Sequence, residues 1–468
     1  MKKFKLRGKE LYRLGYPAEG KASGVAINVV LKHFKRSDKA EVLDLLKAVL
    51  DNPAEYAKDP VLGQIAVELM KPEKRPFREI RLHEQPLDYK IFGKNEIEPG
   101  AIQQMETAMR LPISLKGALM PDAHQGYGLP IGGVLAADNA VIPYGVGMDI
   151  GCRMCLTVFD LKPKYINQYK GNLKRMLVEN TYFGKKDLRN PPEHEVMDRQ
   201  EFKEIKFLKE HQQKAWKQLG SSGGGNHFVD IGIVDITDPQ NAFNVEPGEY
   251  MGILSHSGSR KLGASIAQHY TRLAKETCKL PKGAVSLAWF DMDSAEGQEY
   301  WIAMNLAGDY AKANHDLIHE RMEKSLKEKP LFKVENHHNF AWKEPLENGK
   351  EAIIHRKGAT PAHEGDLGII PGSMTTPGFI VRGKGNPGSL YSASHGAGRV
   401  MSRGQAKQRF TKKDLTQALE KAGVTLIGGG TDEAPMAYKD IRMVMQYQEE
   451  LVDVLGIFYP KIAIMSGD

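Results

Sequence analysis

Gly223-Gly224-Gly225-Asn226-His227-Phe228-Val229-Asp230-Ile231 is a glycine turn that runs straight into a short apolar, β-type segment. The glycines let backbone crowd a bound ion or phosphate, and His227 carries a ligand atom where the turn ends. Similar apolar runs bounded by glycine recur at Val134-Leu135-Ala136 and Phe379-Ile380-Val381, and they predict strands ending in tight turns. Helical stretches are expected between them at 262–280, 296–327, 405–422 and 438–455. Strands mixed with helices in this way predict an α+β fold with a mixed sheet.

Before about residue 87 the text differs. Residues 1–22 form a basic arm with Lys2, Lys3, Lys5, Arg7 and Lys9. Asp38 with Glu41 makes a capping box ahead of Val42, Leu45, Leu46 and Val49, which recur on one helical face. The proline-interrupted segment from Lys71 to Arg78 reads as a linker. The expected organisation is a basic, mainly helical extension over 1–82 and a catalytic domain over 83–468. Residues 1–80 carry 17 Lys+Arg and 11 Asp+Glu, so 6 of the net +7 charges lie there. A basic end suits a nucleic-acid surface or a solvated tail equally. The segment 184–206, with Lys185, Lys186, Asp187, Pro191 and Pro192, reads as a polar surface insertion.

Three cysteines, Cys152, Cys155 and Cys278, argue against a disulfide framework. No run of 18 apolar residues and no secretory h-region is present. These features predict a cytoplasmic protein. The run from Gly378 to Lys384 mimics a phosphate-binding loop, but Gly385 stands at its Ser/Thr position and its interior is β-type, so it is rejected as a Walker site. A dinucleotide fingerprint and the Lys-x-Asp-Gly pattern of lysine-nucleotidylating ligases are both missing.

The candidate metal ligands lie in Gly/Ser/Asn-rich turns. Asp149 and Cys152 are three apart in Gly147-Met148-Asp149-Ile150-Gly151-Cys152, His227 follows Asn226, His256 opens His256-Ser257-Gly258-Ser259-Arg260, and His338 precedes Asn339. A lone histidine is more often structural than ligating, but a thiolate, a carboxylate and three imidazoles fit Mn, Fe, Co or Zn. Cys152-x-x-Cys155 has no second pair with which to build a zinc site. In Ser394-His395-Gly396-Ala397-Gly398-Arg399, an imidazole nitrogen among small residues can attack phosphorus. On a helix, Arg399 and Arg403 would share its face and neutralise phosphoryl charge. The bland reading is a helix N-terminal histidine with solvated arginines. Asp122 and His124, and further along Asp432 and Glu433, are acid–base candidates or loop caps.

Taken as an ordered set, these motifs resemble the RtcB family of RNA ligases. The matches are Met120-Pro-Asp-Ala-His124, Gly147 to Cys152, Gly225 to Phe228, His256 to Arg260, His338-Asn339, Arg356-Lys-Gly-Ala359, Pro371-Gly-Ser-Met374, Ser394 to Arg399 with Met401-Ser-Arg403, and Asp432 to Lys439. They span roughly 87–468. The resemblance implies an RtcB-like fold, with a mixed β-sheet core, surrounding helices and the helical extension in front. It implies joining of RNA 3′-phosphate or 2′,3′-cyclic phosphate ends to 5′-hydroxyl ends, in tRNA splicing or RNA repair. Two Mn2+ ions would be held by Asp149, Cys152, His227, His256 and His338, with Cys152 bridging. His395 would take GMP from GTP. Asn226, Arg260, Arg399 and Arg403 match phosphate- or RNA-contacting positions, and Asp122 an acidic motif position. Asp230, Ser373, Gly378, Tyr438 and Ser466 match nucleotide-binding positions. Members often work with a small activator, archease. A metal-dependent phosphoesterase acting on RNA ends, or a non-catalytic RNA-binding protein, are the competing readings.

The chain departs from the pattern at several places. Ser466 stands near a usual lysine, Gly378 where serine is frequent, Asp230 where glutamate is frequent, and Arg153 where a glycine usually follows the cysteine. These departures imply intact metal and histidine chemistry beside an altered base pocket with relaxed nucleotide choice.

Overall fold

The computed structural model describes residues 6, 8–16, 22–35, 37–70, 77–184 and 187–466. They divide into two compact units, 1–76 and 77–468. Lys2, Lys3, Lys5 and Arg7 of the basic arm, 71–76 of the linker, and Lys185 and Lys186 lie outside the described residues.

The first unit is a small helical bundle of α1 (Gly8–Leu14), α2 (Ala22–His33), α3 (Lys39–Asp51) and α4 (Gly63–Leu69). Its core is built from Leu11, Val29, Val42, Leu46, Val49 and Ile65. Asp38 caps α3, its carboxylate accepting from the Ala40 amide at 2.7 Å.

The second unit is built on two sheets. An eight-stranded sheet contains β3 (Arg153–Phe159), β4 (Phe228–Ile236), β5 (Gly248–Ser257), β6 (Pro330–His337), β9 (Leu367–Ile370), β10 (Gly378–Gly383) and β11 (Val452–Met465). Its order is β6-β3-β5-β4-β11-β10-β9, antiparallel at each step, with Thr425–Ile427 running parallel beside β11. A five-stranded sheet contains β1 (Ser114–His124), β2 (Ile131–Ala137), β7 (Asn339–Pro345) and β8 (Glu351–Lys357), in the order β7-β8-β2-β1 with Lys90–Ile91 at its edge. The fold is α+β with mixed sheets, as the sequence predicts. The helices α5 (Arg260–Thr277) and α6 (Ala295–Leu326) share a large apolar core that includes Ile266, Tyr270, Tyr300 and Tyr310. Among the described residues no helix is long and apolar enough to cross a membrane.

Several local expectations are corrected. Of 438–455 only Ile441–Gln446 is helical; the chain then enters β11, whose alternating apolar residues pair on both sides with neighbouring strands. The stretch 405–422 is two helices, α7 (Arg403–Arg409) and α8 (Lys412–Ala422), because Thr411 starts the second with a capping box to Asp414. The segment 184–206 is not purely superficial: Val196, Met197 and Phe202 are buried in the main core.

Candidate active site

Strand register explains how distant residues meet. In the order β6-β3-β5-β4, alternate direction puts the C-terminal ends of β6 and β5 beside the N-terminal starts of β3 and β4. Those four ends carry His338, Cys152, His256 and His227. Cys152 Sγ lies 3.1 Å from His256 Nε2 and 3.6 Å from His227 Nε2, and His256 Nε2 is 3.2 Å from His338 Nε2. Asp149 Oδ2 is 2.8 Å from His227 Nε2. The ligand atoms form two overlapping groups, Cys152–His256–His338 and Asp149–Cys152–His227, with the thiol common to both.

The donor set fits divalent metal. The Nδ1–H of His227 donates to the Ser222 carbonyl at 2.6 Å, and that of His256 to the Asn226 carbonyl at 3.1 Å. The two Nε2 atoms thus point inward at a carboxylate, a thiol and the His338 imidazole, the kind of donor set that a divalent cation gathers. Burial, with repulsion from His227, pushes His256 down to about 3, and burial beside His395 and His256 keeps His338 neutral. Burial and Asp149 push the Cys152 thiol up, so without a cation it stays protonated. A Cβ added at Gly258 would fall 2.2 Å from Asp149 Oδ1, so only glycine leaves the carboxylate its place.

A second group, Cys155–His315–His319, lies on the other face of β3 and β5. Its ring nitrogens are already in hydrogen bonds. His315 Nε2–H donates to the Ser257 carbonyl at 3.1 Å, so its Nδ1 accepts from the Ser255 hydroxyl at 2.7 Å. Ser255 Oγ accepts from His319 Nε2–H at 2.8 Å, and His319 Nδ1 accepts from the Thr157 hydroxyl at 2.7 Å. This one-way chain supports the strand that carries His256 and leaves no lone pair for an ion. Cys155 packs on its strand, and the two cysteines of the Cys-x-x-Cys pair face different groups.

His395 is adjacent to the ligand cluster, its ring centroid 5.0 Å from that of His338. It does not sit on a helix. Residues 395–397 form bends after Ser392–Ser394, and Arg403 is the first residue of α7. The cause is Gly398, at φ +73, where a Cβ would lie 2.1 Å from the Asp122 carbonyl and so block the close approach of the two segments. That approach lets Asp122 Oδ2 accept from His395 Nδ1 at 2.7 Å and from the His395 amide at 3.1 Å. The Nε2 lone pair of His395 is thereby left exposed to the cavity. Burial alone would raise Asp122, but the His395 hydrogen bond and nearby His124 and Lys439 hold it below the usual carboxylate value.

A cavity of about 390 Å3 joins these groups. Asp149, Cys152, His256, His338, His395, Asn226, Asp230, Ser373, Gly378, Arg399, Arg403 and Tyr438 line it; Asp122, His227, Arg260 and Ser466 do not. Asp122 and His227 stand directly behind lining residues. Arg260 lies under the 220–225 turn, donating to Ser221 Oγ at 2.9 Å and to the Gly184 carbonyl at 2.6 Å. Ser466 Oγ lies 3.7 Å from where a Gly224 Cβ would be. Asp230 is buried, which pushes its carboxyl up, and its Oδ1 has no hydrogen-bond partner. Arg153 donates to His337 Nδ1 at 3.2 Å and does not line the cavity.

Glu433, an acid–base candidate or loop cap by sequence, has a different part here, and Lys439 and Lys357 gain one that their motifs do not announce. Glu433 lies 3.1 Å from Arg399 Nη1 and 3.0 Å from Arg403 Nη2, and it accepts from the Tyr438 hydroxyl; it is a salt-bridge hub that aims both arginines. Lys439 Nζ donates to the carbonyls of Pro121 and Ala123 at 2.9 and 2.8 Å, clamping Asp122 between them. Lys357, its ammonium pushed down to about 7 by burial, lines the cavity and holds the Tyr127 and Leu129 carbonyls. Their signal was proximity to glycine and to acidic motif positions.

The family model for tRNA-splicing ligase RtcB matches residues 104–206 and 171–466. An RNA-splicing ligase RtcB1 from Escherichia coli is 34% identical over 392 residues, covering 77% of this chain and 92% of the relative. RNA-splicing ligase RtcB from Escherichia coli K12 is 33% identical, with the same coverage. The tRNA-splicing ligase RtcB of Methanococcus maripaludis is 32% identical over 435 residues, covering 76% and 89%. With its ligand groups and buried histidine–aspartate pair in one cavity, the chain belongs to the RtcB family.

Proposed function

We propose that this protein is an RNA ligase that joins RNA 3′-phosphate or 2′,3′-cyclic phosphate ends to 5′-hydroxyl ends, in tRNA splicing or RNA repair. The observation that carries this reading is the free Nε2 of His395, fixed by Asp122 in the cavity that holds the two ligand groups.

His395 Nε2 attacks the α-phosphorus of GTP, forming an N–P bond as the α–β P–O bond breaks and pyrophosphate leaves. A cyclic end is first opened by water to a 3′-phosphate. An oxygen of that phosphate attacks the carried phosphorus, and the N–P bond breaks, returning the electron pair to the imidazole. The RNA 5′-hydroxyl then attacks the 3′-phosphorus, loses its proton, and GMP departs. Asp122 stabilises the imidazole while it carries charge. Arg399 and Arg403, aimed by Glu433, neutralise phosphoryl oxygens. Asn226 meets phosphates or RNA from the cavity wall, and Arg260 acts on them through the 220–225 turn that it braces. Asp230, Ser373, Gly378, Tyr438 and Ser466 border the nucleotide. Asp149, Cys152, His227, His256 and His338 would hold two Mn2+ ions, with Cys152 shared. The bound pair supplies Lewis acidity toward phosphoryl oxygens and a template for in-line attack. The catalytic domain is placed at 83–468, with the basic helical extension over 1–82 outside the chemistry.

The test is intact mass after incubation with Mn2+ and each nucleoside triphosphate. A GMP-sized gain that His395→Ala abolishes supports the reading, and adducts with other nucleotides support relaxed choice. Absence of any adduct, or an adduct that survives His395→Ala, overturns the histidine step.

A further inference from the structure

A second cavity, of about 570 Å3, adjoins the catalytic one and shares Tyr127, Tyr144 and Met148 with it. Tyr127 is 72% exposed, more than any other large apolar side chain among the described residues. Yet its backbone is pinned: Lys357 Nζ donates to the Tyr127 carbonyl at 2.5 Å and the Leu129 carbonyl at 2.9 Å. Tyr127 meets Tyr144 edge to face, with ring centroids 6.1 Å apart. Opposite the rings, one helical turn of α5 offers Arg272 and Lys275, three residues apart and so on one face. Lys275 Nζ stands 5.9 Å from the Tyr144 centroid and Lys357 Nζ 5.1 Å from it. Glu276 is the acidic side chain in the lining.

An ordered ring held out in water beside two cations is costly for a fold and useful for a strand. Unpaired bases stack on tyrosine faces, while phosphates meet Arg and Lys. We propose that this second cavity takes an unstacked nucleotide of the RNA strand whose end lies in the catalytic cavity, its base on Tyr127 and its phosphate against Arg272 and Lys275. This rests on the RNA-ligase reading above and adds to it a subsite for single-stranded RNA just outside the reacting end.

The experiment is fluorescence anisotropy of the full chain with a short labelled single-stranded RNA bearing a 3′-phosphate, run alongside RNA joining. Tyr127→Ala weakens binding about five- to a hundredfold, and Tyr127→Trp restores it. Arg272→Glu with Lys275→Glu flattens the dependence of affinity on salt. An abasic site at the stacked position binds wild type and Tyr127→Ala alike. Tyr127→Ala affinity within twofold of wild type overturns the proposal, as does Tyr127→Trp binding no better than Tyr127→Ala. Joining with binding indifferent to Tyr127 removes the subsite and leaves the ligase reading. Tyr127-dependent binding without joining removes the ligase reading and leaves the subsite.

Discussion

Replacing Asp122 by asparagine changes one atom type behind His395, the proposed nucleophile, and its effect can be worked out. Asp122 is fully buried, and its Oδ2 accepts from both the amide and Nδ1 of His395. With the asparagine oxygen in the place of Oδ2, both bonds survive, and the NH2 group takes the place of Oδ1, which has no partner. What is lost is the charge. Loss of a charge-assisted hydrogen bond is worth roughly 1.5–3 kcal/mol, or about 10- to 150-fold in rate. The expected loss in single-turnover adduct formation is therefore about 10- to 150-fold. The assay is time-resolved intact mass with GTP and Mn2+, with bound metal measured on the same sample. Metal content should hold, because Asp122 touches none of the five ligands. Adduct formation within threefold of wild type, at unchanged metal content, would refute the role of the Asp122 charge in supporting the His395 imidazole.

Three further outcomes follow from other contacts. Glu344 pairs with fully buried Arg356 at 2.6 and 2.8 Å; burial would raise its carboxyl, but His363 and Arg356 bring it down to about 2 from an ordinary 4.5. A depressed carboxyl stabilises the fold above its unfolded pKa and loses that effect as pH falls through the folded one, so the pair contributes about 3 kcal/mol at pH 7, roughly half of it gone by pH 3; urea midpoints of wild type and Glu344→Gln should converge as the solution is acidified, and a pH-independent gap would contradict this. Ser255→Ala leaves the Nε2–H of His319 without an acceptor and Nδ1 of His315 without a donor, costing about 2–4 kcal/mol in denaturant unfolding; a change below about 0.5 kcal/mol would show the chain to be incidental. Cys152→Ser removes the atom common to both ligand groups, and a serine hydroxyl does not ionise in its place; bound manganese measured after dialysis should fall from about two to below one per chain, and two retained equivalents would exclude a shared thiolate.

The ligand residues were legible because each stands in a turn where glycine, serine or asparagine marks unusual backbone. Their convergence was not, since it depends on which strands are neighbours and in what register, and no local pattern records that β3 lies between β6 and β5. The missed strand β11 shows the same limit. Its run from Val452 to Met465 carries Gly456 and Pro460, which blur the alternation, while Ile441 to Gln446 carries helical spacing up to its edge. Glu433 could be quoted as an acid–base candidate or a salt-bridge partner, and only the positions of Arg399 and Arg403 across the chain decide for the latter. The His395 segment failed as a helix for a tertiary reason: Gly398 bends to admit the Asp122 backbone, and a contact over such a distance in sequence leaves only the glycine as its trace.

The clustered Asp149, Cys152, His227, His256 and His338 gather at one end of the larger sheet, whereas His395 follows Ser392–Ser394, which pairs with Ala359–Pro361 in a separate two-stranded sheet, so something must hold the two in register. His338 is the single residue between β6, in the larger sheet, and β7, in the smaller one. Its amide donates to the Cys152 carbonyl at 3.0 Å, and its carbonyl accepts from the Ala359 amide at 3.2 Å. Asn339 repeats the stitch: its carbonyl accepts from Gly151 at 2.8 Å, its side-chain NH2 donates to the Asp149 carbonyl at 3.3 Å, and its side-chain oxygen accepts from Gly358 at 2.8 Å. The Ala359 segment in turn pairs with Ser394, the residue before His395. A displacement of the corner therefore moves the Cys152 thiol and the His395 imidazole together. The phosphoryl transfer proposed above would gain from this, because such catalysis is mostly positioning and electrostatics, and a corner that tethers both groups keeps their separation fixed while either sheet flexes.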